Sequence, residues 1–328
     1  MHPNVLAQWF AICRSVDLKR SPRAAQLFGR PLVLFRTEEG VHALLDRCPH
    51  RHVALSDGRM LGNRLQCRYH GWEFEGSGAC AQVPGSVAEP PRCAVPAFGC
   101  REQDGIVWVT PEGGAETGPP SLAFEGIEGM KQIWSDFTVE GTLFDAIENF
   151  LDPMHTHTVH AGLIRSEKKR SPVRIQIACE EDAVSATYLG EGASSGAIQQ
   201  LFGLDIVRSL GRFRLPSIVE MEYWNERFLR CRIVLLFTPT EEAEIRVTAG
   251  IYGRHALAPL ILPILKPMLR LAMRQDREVL SWKYAHESKY FGKANYVHTE
   301  LDLLGPHILH WFRHGKIAGE DREIEVLL

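Results

Sequence analysis

The segment CPHRHVALSDGRMLGNRLQCRYHGW, Cys48 to Trp72, decides how the first third of this chain must fold, because it sets two cysteines and three histidines within twenty-five positions. Four of them make two hooks, Cys48-x-His50 and Cys67-x-x-His70, with sixteen residues between. A common zinc finger presents its cysteines together and its histidines together, so that one tetrahedral ion takes all four. Here each hook carries one sulfur and one nitrogen. That division suits a two-iron cluster: one iron takes both thiolates, the other both imidazoles, and two loops clamp the pair. Neutral imidazole in place of two thiolates raises the reduction potential. Gly58, Gly62, Gly71 and Gly76 supply the tight turns such loops need. His52 reads as a loop residue beside the hooks, without a ligand role.

Around this segment, short stretches of β character alternate with turns: PLVLFRTEEGVHALLD, RLQCRYHGWEF and DGIVWVTP. Close Gly and Pro punctuation favours a small all-β domain, assigned to residues 1–115. PEGGAETGPPS, residues 111–121, is the best linker candidate. Residues 116–328 mix types. GTLFDAIENFL and KPMLRLAMRQDREVLSWKYAH read as helices, FLRCRIVLLFTPT and AEIRVTAGIYG as long strands. An α+β arrangement follows, an antiparallel sheet packed by helices.

A second constellation lies in DAIENFLDPMHTHTVHAG, residues 145–162, with Glu148, Asp152, His155, His157 and His160. On a helix Glu148, Asp152 and His155 share a face. His155 and His160 are five apart, which a regular helix separates by about 140°. Joint ligation therefore needs a widened or interrupted turn, and Pro153 is placed to cause one. The zinc-protease pattern His-Glu-x-x-His fails, since Thr156 stands where its glutamate belongs. The third ligand is sought in MLRLAMRQDREVLSW. Its apolar stripe runs through Leu269, Ala272, Met273, Val279 and Leu280, and Asp276 sits on it. A carboxylate facing a core is costly unless compensated, and a metal compensates it. Asp302 is a weaker candidate, and Glu278 lies off the stripe. Two histidines and one carboxylate form the facial triad of non-haem ferrous oxygenases.

CPHR…CRYHGW resembles the Rieske [2Fe–2S] signature. Val53 and Tyr69 stand where respiratory Rieske proteins carry a disulfide, so the resemblance is to the centres of oxygenases and their ferredoxins. The pattern N-x-x-D-x-x-H-x4-H, from Asn149 to His160, and the later QD helix resemble the mononuclear-iron motif of Rieske oxygenases. The chain is similar to their shorter, vanillate demethylase-like group. That resemblance implies an N-terminal all-β Rieske domain and a C-terminal catalytic domain of helix-grip type. It implies cluster ligands Cys48, His50, Cys67 and His70, and iron ligands His155, His160 and Asp276. Asn149 is expected near the iron, and Asp152 as the electron bridge between subunits of a homotrimer. The activity implied is hydroxylation or oxidative demethylation of a small organic, aromatic or cyclic substrate with O2, in the manner of aromatic catabolism. No Gly-x-Gly-x-x-Gly follows a strand, so NAD(P)H is expected to act only through a separate flavin and iron–sulfur reductase, or through a ferredoxin. Ile164, Phe202, Trp224, Phe237 and Tyr252 are conceivable pocket residues.

Composition narrows the alternatives. Forty acidic and 37 basic side chains give a net charge of −3, leaving no footprint for nucleic acid or an anionic membrane. The first residues lack a signal-peptide pattern, and the apolar run Ala256–Leu265 is too short to span a bilayer, so a cytoplasmic protein is expected. Cys13, Cys80, Cys93, Cys100, Cys179 and Cys231 have no partner spacing and read as structural. Two rivals remain. An electron-transfer protein with a non-catalytic second domain would hold the cluster and no second iron. A zinc-stabilised binding module would be colourless.

Overall fold

The computed structural model describes residues 1–111, 117–122, 124–190, 206–253, 258–291 and 295–328. Five residues of the expected linker, 112–116, lie outside the described residues, as do residues 256–257 of the apolar run and Phe202. Two compact units result, Pro3–Ala123 with Thr238–Glu242, and Met1–His2, Phe124–Phe237 with Ala243–Leu328.

Among its described residues, the first unit is built of three small antiparallel sheets. One orders Phe10–Arg14, Ile106–Val109 and Cys100–Gln103; another orders Arg23–Leu27, Arg30–Thr37, Gly40–Leu45 and Ala97–Phe98. The third carries Arg59–Leu61, Arg64–Gln66, Glu73–Phe74 and Cys80–Gln82. Val33, Phe35, Leu44, Leu55, Leu65, Phe74 and Val95 are fully buried together, and the thiols of Cys48 and Cys67 belong to the same core. The stretch RLQCRYHGWEF is thus two short strands with the second hook between them.

The second unit centres on an eight-stranded sheet in the order Lys131–Glu140, Glu244–Gly253, Leu229–Pro239, Ile218–Trp224, Arg208–Arg214, Ala183–Leu189, Pro172–Cys179, Arg322–Leu327. Its paired strands run antiparallel. Among the described residues, three helices accompany it: α1 (Leu143–Leu151), α2 (Ala258–Tyr290) and α3 (Gly305–His314). Thr142 opens α1 by accepting from the Asp145 amide at 3.2 Å, the usual task of a threonine N-cap. A Cβ at Gly211 would sit 3.3 Å from Leu151 Cδ2, so the strand lies close beneath α1 there. Among the described residues no helix is long and apolar enough to cross a membrane.

Candidate metal centres

Each hook is set by its own backbone turn. The Cys48 amide donates to Val53 O at 2.9 Å and the His52 amide donates back to Cys48 O at 2.9 Å. In the second hook Cys67 donates to Trp72 O at 2.8 Å and Gly71 to Cys67 O at 3.2 Å. Gly71 has φ +72°, and a Cβ there would lie 3.1 Å from Pro84 Cγ, so both conformation and space require glycine. His52 closes the first turn at φ +60° with a full side chain, a left-handed strain that glycine would relieve.

The turns bring the hooks face to face. The rings of His50 and His70 are 4.6 Å apart, and Trp72 stacks on His50 at 4.7 Å and 7°. Tyr69, 61 % exposed, lies 3.8 Å from the His70 ring. Desolvation, then the charges of His70 and Arg51, hold His50 below its ordinary value, so it is neutral as a metal ligand must be. Its Nδ1 is buried without a hydrogen-bond partner, which a metal would supply. Burial pushes the Cys48 thiol up to about 11, against hydrogen bonds from the backbone of His50 and Arg51. A bound iron reverses that balance, because a coordinating thiol is deprotonated outright. Among the described residues, only His155, His160 and Asp276 group their ligand atoms within 4.8 Å of one another. The two imidazoles meet each other and the thiols of Cys48 and Cys67 interact with each other, the division of ligands that a two-iron cluster of this type uses.

That triad forms because α1 stops. Asp152 is its C-cap, Pro153 follows, and Met154–His157 make a separate 3-10 turn. The shared helical face for Glu148, Asp152 and His155 is therefore corrected: proline ends the helix, and His155 and His160 converge from outside it. The Asp152 carboxylate accepts from the amides of Met154 at 2.8 Å and His155 at 3.1 Å, and lies 3.4 Å from His155 Nδ1. Arg165 donates to Pro153 O at 3.1 Å and Thr156 Oγ1 at 2.9 Å, bracing the same turn.

From α2, Asp276 stands 6 % exposed between buried Ala272 and Leu280. Its Oδ1 is 2.9 Å from His160 Nε2 and 3.5 Å from His155 Nε2. Burial raises the Asp276 carboxyl, but the two histidines outweigh it, with Asn149 helping, and bring it down to about 2. Burial lowers His155, yet Asp152 and Asp276 raise it to about 9. Iron must displace that proton to bind. His160 Nδ1 meets Gln275 Oε1 at 2.9 Å. Sequence reasoning missed Gln275 and Arg165; the adjacent QD pair was the available signal for the first, while Arg165 opens the charged stretch RSEKKR, residues 165–170, whose spacing points to no site.

Other candidates fall away. His157 is buried, with Nδ1 on Ser166 O at 2.7 Å, and Glu278 pairs with Arg274 on the surface. Asp302 accepts from the Thr299 amide at 2.6 Å in its own turn. Trp224 and Tyr252 face away from α1: Met221 pairs with Gly211, and Trp224 is three residues along, under Arg208. Tyr252 likewise packs on Trp134, whereas Phe137 meets Phe150 of α1. Phe237 does reach Phe150, at 5.6 Å. Cys80 and Cys93, read as unpartnered, are neighbours: the Cys80 amide donates to Cys93 O at 3.1 Å and their thiols interact.

Comparison with known proteins matches residues 8–98 to the Rieske [2Fe-2S] domain and residues 145–312 to the vanillate O-demethylase oxygenase C-terminal domain. The oxygenase component of chloroacetanilide N-alkylformylase from Rhizorhabdus wittichii is 33 % identical over 171 residues, 48 % of this chain and 47 % of that protein. The oxygenase component of dicamba O-demethylase from Stenotrophomonas maltophilia is 31 % identical over 163 residues, 46 % of each. The chain spans about half the length of these curated relatives. The crystal structure of dicamba monooxygenase bound to dicamba shares the fold, with TM-score 0.79 at 21 % identity over 94 % of this chain and 96 % of that one.

Proposed function

Because the chain belongs to the Rieske oxygenases with a vanillate O-demethylase-type C-terminal domain, we propose that it is a terminal oxygenase, hydroxylating or oxidatively dealkylating a small organic substrate with O2. The observation that carries this reading is the convergence of His155, His160 and Asp276 within 4.8 Å in the second unit. An electron carrier has no use for such a triad. Cys48, His50, Cys67 and His70 would hold the [2Fe–2S] cluster, and the triad a ferrous ion, which together supply one-electron transfer and dioxygen activation.

The surrounding residues prepare those ligands. Gln275 accepts the His160 Nδ1 proton and leaves Nε2 free for metal. Asp152 Oδ2 lies 3.4 Å from His155 Nδ1, and its capping bonds hold the carboxylate beside that ring. Asn149, buried on α1, favours the charged form of Asp276. By family resemblance Asp152 also links His155 to His70 of a neighbouring subunit in a homotrimer. Two relatives are named as the oxygenase component of their systems, which supports a separate reductase or ferredoxin as electron donor. Their names also favour O-alkyl and N-alkyl aromatic compounds as the substrates to try first, as expected of aromatic catabolism.

The test is single turnover. Chemically reduced, iron-loaded protein should consume O2 and release aldehyde only when an accepted aryl ether or N-alkyl anilide is present. Fully loaded, fully reduced protein that leaves a broad panel of alkylated and hydroxylatable ring compounds unchanged would overturn the reading.

A further inference from the structure

The irregular stretch after the Cys80–Gln82 strand returns to pair with it. Cys80 donates to Cys93 O at 3.1 Å and Val95 to Gly78 O at 2.8 Å, bracketing the antiparallel pair Ala79–Ala94. Gly78 makes the close approach feasible, since a Cβ there would fall 2.0 Å from Val95 O. Cys80 and Cys93 therefore stand opposite one another, joined through the Cys80 amide alone because Cys93 donates to Pro91 O at 2.7 Å, and facing residues of an antiparallel pair hold their Cα atoms about 4.5–5.5 Å apart. A disulfide spans about 4.4–6.8 Å between Cα atoms. Both cysteines are partly exposed, so a small oxidant can reach them.

Their position gives the pair a consequence. Cys80 packs against the core that contains Cys48 and Cys67. The loop between the two cysteines carries Pro84, which sits on Gly71, one residue beyond His70. We propose that Cys80 and Cys93 are a dithiol–disulfide modification site whose oxidation ties the loop of residues 83–92 down over the hook that carries His70. The oxidant is a low-molecular-weight disulfide such as oxidised glutathione. One protein thiolate attacks it, forming a mixed disulfide and releasing one glutathione; the other protein thiolate then displaces the second. One S–S bond breaks and one forms. Two electrons pass from the cysteine pair to two glutathione thiols, which take up the two protons. Burial pushes the Cys80 thiol up to about 11, which makes exchange slow.

The test uses the full chain with its iron, equilibrated anaerobically in mixtures of oxidised and reduced glutathione, then alkylated and mapped by mass spectrometry without reduction. The expected result is one peptide pair joined through Cys80 and Cys93, with two thiols lost per chain. In Cys93→Ser, Cys80 should take up one glutathione instead. Loss of visible absorbance to an iron chelator should be several-fold slower for the oxidised wild type than for the reduced, and independent of glutathione in Cys80→Ser and in Cys93→Ser. Separate alkylation of both cysteines at the most oxidising ratio would overturn the proposal, and so would a cross-link that leaves chelation unchanged. The cross-link map reads thiols whatever the iron does, so its failure is distinct from failure of the oxygenase reading.

Discussion

His160 is oriented by Gln275 on Nδ1, while its Nε2 faces Asp276 Oδ1 at 2.9 Å, where a shared metal would bind both. Gln275→Leu removes the acceptor and leaves a buried N–H unpaired. We expect iron affinity at the triad to fall about 10–100-fold, seen as faster loss of one iron to a chelator with acid-labile sulfide unchanged. Unaltered retention would show that Gln275 has no orienting role. Glu148 behaves differently. Burial, then the charge of Asp152, pushes its carboxyl up to about 7 from an ordinary 4.5. Its folded value lies above its unfolded one, so its contribution to stability is complete below about 4.5 and is lost as pH rises through about 7. Glu148→Gln should match the wild type near pH 5 and exceed it near pH 8 by on the order of 2–3 kcal/mol. Denaturant melts at the two pH values decide this, and a gap that stays constant would contradict it. At His52 the left-handed backbone predicts that His52→Gly raises the melting free energy by up to about 1 kcal/mol; a loss would assign the histidine a stabilising contact.

Among the elements, α1 joins α2 through one buried charge. Asp145 is 2 % exposed and pairs with Lys283, and Tyr296 bonds both, at 3.1 Å and 3.0 Å. Lys283→Met strands the carboxylate. A cost of about 2–4 kcal/mol is expected, below the figure for a fully buried pair because Lys283 is 37 % exposed. Asp145→Leu with Lys283→Met should recover most of it in a double-mutant cycle, and a purely additive pair would deny the coupling. The elements also mark how far sequence alone reached. Asp276 was legible because a carboxylate on an apolar stripe demands compensation, and the structure puts it within reach of both histidines. The path of the chain between Asp152 and His160 was not legible. Helical spacing gave Pro153 as the disturbance but could not say that α1 ends outright at Leu151 and resumes as a 3-10 turn. Nor could spacing pair Cys80 with Cys93, since a return crossing of thirteen residues through Gly- and Pro-rich chain has no periodic signal.

For the whole molecule, the two hooks and the triad imply different iron centres, only one of which carries sulfide, and this distinguishes the oxygenase from its rivals. Cross-strand parity explains why Trp224 and Tyr252 turn away from α1: one residue of register decides the face, and sequence does not state register. The most direct measurement is iron and acid-labile sulfide per chain, after anaerobic reconstitution with ferrous iron and removal of excess, for the wild type and Asp276→Ala. A cluster plus a mononuclear site predicts about three irons to two sulfides, falling to about two and two in the variant. About two irons to two sulfides in the wild type, unchanged by Asp276→Ala, would contradict the second iron site and leave an electron carrier.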